Sequence, residues 1–212
     1  MQDDKETGLL FFKENMDVSE NKMNFIKKYI EILDFYQAKL NLIGNSTRKN
    51  IWVRHILDSA QIINFLPEQN KNDFLLDVGT GAGFPGIILS ILGRKDIILC
   101  DKSPKKTRFL EVVVKECKLK VGLVKGKVEH YNNKNIKIIV SRAYSPLNTF
   151  FQSVKHLISP ETIFVIHKGK KYKEEIEVAK KYYLFSVNCY SSITDSFGKI
   201  LKIKNVVQIN ES

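Results

Sequence analysis

Cysteine is scarce in this chain and does not cluster. Cys100, Cys117 and Cys189 are far apart and odd in number. There is no Cys-x-x-Cys pair and no Cys/His cluster, so neither a metal site nor a disulfide framework is expected. The three thiols read as reduced and mostly buried, in a cytoplasmic protein. Long apolar runs are lacking too. The N-terminus is acidic and offers nothing longer than Leu9–Phe12, which excludes a signal peptide and a membrane span. No internal repeat or low-complexity tract is present. Acidic residues are few, 23 against 34 basic ones, giving a net charge of +11. The first twenty residues carry −4, so the other 192 carry +15. Such a body suits an anionic partner, although a lysine-rich composition serves solubility as well.

What is present begins with 212 residues, 43% of them hydrophobic, enough for one domain with an appendage. Residues 1–20 are polar and expected to be frayed and flexible. Phe25, Ile26, Tyr29, Ile30, Leu33, Tyr36 and Leu40 recur every three or four positions, which predicts an amphipathic helix over 24–40. A polar loop with Gly44 follows, then a second helix over 51–65 that stops before Pro67. These form a helical extension over 21–70. From 71 to 212 short apolar runs alternate with helical segments. Strands are expected at 74–78, 96–100, 121–124, 136–140 and 162–166. Helices are expected at 85–92, 104–117, 147–158 and 172–182, the second of them capped by Ser103. This alternation predicts an α/β, Rossmann-like, mostly parallel sheet. The runs around 182–190 and 199–209 have no helix between them. They read as two strands joined by a hairpin, which adds an antiparallel C-terminal strand.

The densest signal is FLLDVGTGAGFPG. An apolar strand ends in Asp77, and Gly79, Gly81, Gly83 and Gly86 follow within eight residues. Glycines there let the backbone turn tightly and approach a ligand. The pattern fits both a dinucleotide loop and other nucleoside-binding loops. Four features favour a ligand without phosphate. Asp77 would repel a pyrophosphate and attract a cationic amino-acid end. Pro85 removes an N–H where a phosphate would need one. Asp101, after the second strand, suits the two hydroxyls of a ribose. The part of the chain after the loop is short for a dinucleotide domain plus a catalytic domain. S-adenosyl-L-methionine has that combination of groups. The competing readings are an S-adenosyl-L-methionine-dependent methyltransferase with another RNA or a small-molecule substrate, and a nicotinamide-dependent oxidoreductase.

Taken together, several segments resemble the bacterial small-subunit ribosomal RNA methyltransferase G family, also called glucose-inhibited division protein B. They are LLDVGTGAGFPGIILSI, VRHILDSA from Val53, DKSPKKTRFLE from Asp101, GKVE from Gly126, SRAYSPL from Ser141 and HKGK from His167. The likeness runs from about Asn24 to the C-terminus. It implies a class I methyltransferase that moves a methyl group from S-adenosyl-L-methionine to N7 of a guanine in 16S ribosomal RNA. Its partner would be that RNA or the small subunit, and the protein is expected to be a monomer. Carried over by motif, Gly79 and Phe84 contact the cofactor, Lys102 and Ser103 line the adenosine pocket with Asp101, and Val128 and Glu129 lie beside the adenine. Arg142 completes the site and is the one catalytic candidate. Lys127 stands where the family usually has arginine, which keeps the charge but loses the planar fork.

Guanine N7 has a free in-plane lone pair, so its methylation needs positioning rather than a base. That agrees with the lack of an evident nucleophile. Lys105, Lys106 and Arg108, with Lys102, crowd a helix start, where cations oppose the dipole. RNA phosphate would explain them, and so would a solvated basic surface. Arg54 and His55 are also candidate RNA contacts. A lone histidine in an apolar helix is more often structural.

Overall fold

The computed structural model describes residues 3–16 and 18–209. Helical pieces come first: α1 (Asp4–Asn15), α2 (Glu20–Leu40) and α3 (Asn45–Arg48). An irregular helical stretch then runs through a π-helical turn (Trp52–Leu57), α4 (Asp58–Ala60) and a 3₁₀ turn (Gln61–Phe65). The expected regular helix over 51–65 is therefore three unlike turns. Asp4–Asn15, within the stretch expected to be frayed, forms α1, which is folded and packed. Asp4 accepts hydrogen bonds from the backbone N–H groups of Trp52 and Val53 at 2.8 and 3.1 Å, capping donors that a helix start leaves unpaired. Phe12 is buried. Gly8 lies so close to the Trp52 ring that a β-carbon there would sit 2.9 Å from Trp52 Cβ.

The sheet follows, with β1 (Phe74–Val78), α5 (Gly86–Leu92), β2 (Ile97–Asp101), α6 (Pro104–Glu116), β3 (Gly122–Lys125), β4 (Ile136–Arg142), α7 (Leu147–Val154), β5 (Ile163–Lys168) and α8 (Tyr172–Lys180). It ends in β6 (Tyr183–Ser191) and β7 (Lys199–Gln208). The strand order is β3-β2-β1-β4-β5-β7-β6. β1 to β5 are parallel, and β7 runs antiparallel to both β5 and β6. The parallel strands are covered on both faces, which is why β1 and β2 read as apolar runs rather than alternations. One core joins α2, α5, α6 and the extension to one face. A second core, rich in phenylalanine, packs α7 and α8 on the other.

Three local details differ from the sequence reading. Arg142 is the last residue of β4 rather than beyond it. Ser103 makes no side-chain cap; its N–H donates to Asp101 Oδ1 instead. Cys100 and Cys117 are buried, but Cys189 is exposed. Among the described residues no helix is long and apolar enough to cross a membrane.

Candidate functional site

The order of the strands reverses between β1 and β4, and the crevice at their carboxyl ends is where such sheets bind ligands. A cavity of 490 Å³ opens there. Gly79, Asp101, Lys102, Ser103, Val128 and Glu129 all line it, brought together from the ends of three neighbouring strands.

The glycine loop is held by hydrogen bonds to its own carbonyls and to the end of β2. Gly79 and Thr80 donate to the carbonyl of Cys100, and Gly83 and Phe84 to that of Thr80. Gly81 donates to Asp101 Oδ2 at 2.9 Å and Gly86 to Asp77 Oδ2 at 2.8 Å. Pro85 has no N–H to offer. Of the loop amides from Gly79 to Phe84, all but that of Ala82 are thus engaged inside the protein, which leaves little of a pyrophosphate nest. Asp101 braces both walls of the cavity, because its other oxygen accepts from Ser103 N at 2.8 Å.

Asp77 has a different place from the one expected. It lies fully buried beneath the loop and outside the cavity lining. Thr80 Oγ1 and Gly86 N donate to its Oδ2, and Oδ1 has no partner. Burial pushes its carboxyl up to about 7, against those two hydrogen bonds. It acts as the brace that ties the strand end to the start of α5.

Tyr144 is a site residue that the sequence reading passed over. It lines the cavity, is 37% exposed, and lies directly against Gly79. A β-carbon on Gly79 would meet Tyr144 Cδ2 at 2.3 Å, and the residue's φ of +69° is itself one that favours glycine. The signal was available as the aromatic residue just after the end of β4.

Phe84 and Arg142 are not in the cavity lining. Phe84 is buried behind the glycine loop between the rings of Tyr29 and His55, and the Arg142 guanidinium stands 4.8 Å over its face. Tyr29 also donates from its hydroxyl to Ala82 O at 2.7 Å, so α2 grips the loop from the rear. Arg142 Nη1 donates to Arg54 O and to Asp58 Oδ2 at 3.0 and 3.2 Å. Its Nη2 is 2.7 Å from His55 Nδ1. Arginine can only donate, so Nδ1 is the acceptor and the imidazole proton sits on Nε2, 2.8 Å from Thr47 Oγ1. Thr47 in turn donates to Gly44 O. Burial would raise Asp58, but His167 and Arg142 beside it hold it below the ordinary carboxylate range. Burial also lowers His167, whose Nε2 donates to Asp58 O.

His55 is buried, and both of its ring nitrogens are engaged inside the protein. Burial, then Arg142, pushes it down to about 3, so it is neutral in the fold. An unfolded chain protonates this residue below about 6.5. The stability it contributes is thus fully present above that pH and lost as pH falls towards 3. The gap in unfolding free energy between the wild type and His55→Gln is expected to narrow across this window in urea titrations. A constant gap would mean that His55 is protonated in the fold.

The other candidate RNA contacts separate. Lys106 lines the main cavity, while Arg108 borders a neighbouring groove with Lys102, Glu111 and Lys125. Lys105 is exposed on α6. Arg54 is half-exposed and paired with Asp195 at 2.9 Å. Among the described residues no group of His, Cys, Asp and Glu could hold a metal ion.

A cavity at the switch point, an acid at the end of β2 and a glycine loop with most amides engaged within the protein suit a ligand that contains a nucleoside. The model of the family described as rRNA small subunit methyltransferase G matches residues 22–203. The chain belongs to that family. It is 34% identical over 194 residues to a ribosomal RNA small subunit methyltransferase G from Rickettsia akari, covering 92% of this chain and all of that one. The corresponding protein of Rickettsia felis is 35% identical, covering 92% and 99%. Solved structures agree on the fold. A putative S-adenosyl-L-methionine-dependent methyltransferase from Methanococcus maripaludis superposes with a TM-score of 0.58 at 16% identity, over 87% of this chain and 95% of that one. A ribosomal protein L11 methylase from Lactobacillus delbrueckii gives 0.57 at 16% identity, over 77% and 80%. In this family member the extension α1–α4 is wired to the β4 end through Arg142, so the part outside the sheet reaches the part that lines the cavity.

Proposed function

We propose that this chain transfers a methyl group from S-adenosyl-L-methionine to N7 of a guanine in 16S ribosomal RNA. It acts in the cytoplasm, as a monomer, on that RNA or the small ribosomal subunit. The observation that carries the choice of ligand is the glycine loop, whose amides, Ala82 apart, are engaged within the protein and leave little of a phosphate nest. The same observation disfavours a nicotinamide dinucleotide. Bound S-adenosyl-L-methionine supplies an activated methyl group and needs no metal.

The chain's own residues supply position and charge. Asp101, with lone pairs left after its two backbone contacts, accepts from the ribose hydroxyls, and Val128 covers the adenine. Gly79 admits the ligand at the loop, and Glu129, Lys102 and Ser103 close the wall around it. The attacking N7 carries no proton, so no base has to act, and the rate comes from alignment and exclusion of water. The product ring is cationic. The ring of Tyr144, which lines the cavity and forms a T-shaped pair with Phe150, is placed to attract it.

The test is incubation with labelled S-adenosyl-L-methionine and unmodified small subunits, naked 16S rRNA, or a small-molecule extract. Label at a guanine N7 is expected. Label that appears only in small molecules would sink the reading.

A further inference from the structure

A second cavity of 200 Å³ lies beside the first, between the extension and the β6–β7 hairpin. Ala143 lines both, so the two meet at the residue before Tyr144. Four cations face the second cavity: Arg54, Arg142, Lys168 and Lys199. Arg142 is matched by Asp58, Arg54 by Asp195 and Lys168 by Glu175. Lys199 has no carboxylate partner among the described residues; it donates to Ser191 Oγ at 2.9 Å and stands 5.9 Å from the Tyr172 ring centre. Arg54 gives only Nη1 to Asp195, which leaves most of its donors unused by that pair.

Between the lining residues Asp195 and Gly198 the hairpin tip carries an exposed aromatic residue. Phe197 is 62% exposed and belongs to neither core. The Lys170 ammonium stands 5.5 Å from its ring centre. The turn that presents it is pinned. Thr194 Oγ1 donates to Asp58 Oδ1 at 2.7 Å, Ile193 N donates to Gln61 Oε1 at 3.0 Å, and Phe197 N donates to Asp195 Oδ1 at 2.9 Å. An exposed ring on a fixed turn, next to a lysine without a carboxylate partner and an arginine with donors to spare, is the combination that holds single-stranded nucleic acid: any base stacks, and its phosphate finds the charge.

Resting on the reading above, we propose that this cavity and the hairpin tip form a subsite for the nucleotide next to the target guanine. Its base stacks on Phe197, and the phosphate joining it to the target is held by Lys199 and Arg54. A guanine can enter the first cavity only after leaving its stack. Its neighbour then loses a stacking partner, and Phe197 replaces it.

The probe is a 16S rRNA fragment holding the target loop, with 2-aminopurine at each neighbour of the target in turn. The wild type is expected to quench one of the two positions. Phe197→Ala is expected to abolish the quench and weaken RNA binding at least about fivefold. Phe197→Trp should restore both, and the affinity for S-adenosyl-L-methionine, by calorimetry, should be unchanged in each variant. Lys199→Gln should lower the salt slope of RNA binding by about one. Unchanged quench and RNA affinity in Phe197→Ala would overturn the subsite. So would a parallel loss of S-adenosyl-L-methionine binding, which would make the hairpin a structural brace. An effect seen with assembled subunits and not with naked RNA would place a protein on Phe197, again overturning it. Failure of the wild type to label any RNA is a separate result, which removes the methyltransferase reading and is scored by label rather than by binding.

Discussion

Arg142→Ala should abolish most methyl transfer, by more than about a hundredfold, and cost on the order of 3 kcal/mol of stability. The stability loss comes from Asp58, which is left mostly buried without its guanidinium, and from His55, which loses the donor on Nδ1. The activity loss comes from the chain itself. Ala143, with a positive φ of 54°, and Tyr144 directly follow Arg142, and both line the main cavity. Once the arginine is released from Arg54 O and Asp58, the loop carrying Tyr144 has lost its anchor on the extension. We propose on these contacts that Arg142 acts by positioning the loop that carries Tyr144. Arg142→Lys should not rescue, because one ammonium cannot serve three acceptors in that plane. Urea unfolding and single-turnover transfer check this, and wild-type values in both would refute it.

Asp101→Ala is expected to weaken S-adenosyl-L-methionine binding by about 1–3 kcal/mol, the scale of losing charge-assisted hydrogen bonds. The carboxylate also holds Gly81 N and Ser103 N, so both walls of the cavity loosen with it. Asp101→Asn keeps one acceptor oxygen and should lose less. Titration calorimetry gives both numbers. Wild-type affinity in the alanine variant would mean that the ribose is bound elsewhere.

The sheet was legible because its parallel strands are short apolar runs between turn signals, and their predicted bounds lie within two residues of those found. The wall of the main cavity was legible for a related reason: residues at strand ends fall at the ligand edge wherever the strands fall. What escaped was anything set by distant partners. Arg142 and Asp58 are 84 residues apart, and Thr194 and Asp58 are 136 apart, so no local pattern announces the cluster. Asp77 misled because its charge pointed to a ligand, whereas its actual partners are a hydroxyl and an amide in its own loop. α1 was missed because its polar sequence buries only Gly8 and Phe12, too little to make a stripe.

The packing of Gly8 against Trp52 has an optical consequence. Trp52 is the only tryptophan in the chain, so fluorescence excited at the red edge of the protein band comes from one indole. That indole is 5% exposed and lies three residues before His55. Its emission colour therefore reads whether α1 is seated, and a red shift at constant sheet signal would time the undocking of the extension separately from unfolding of the sheet.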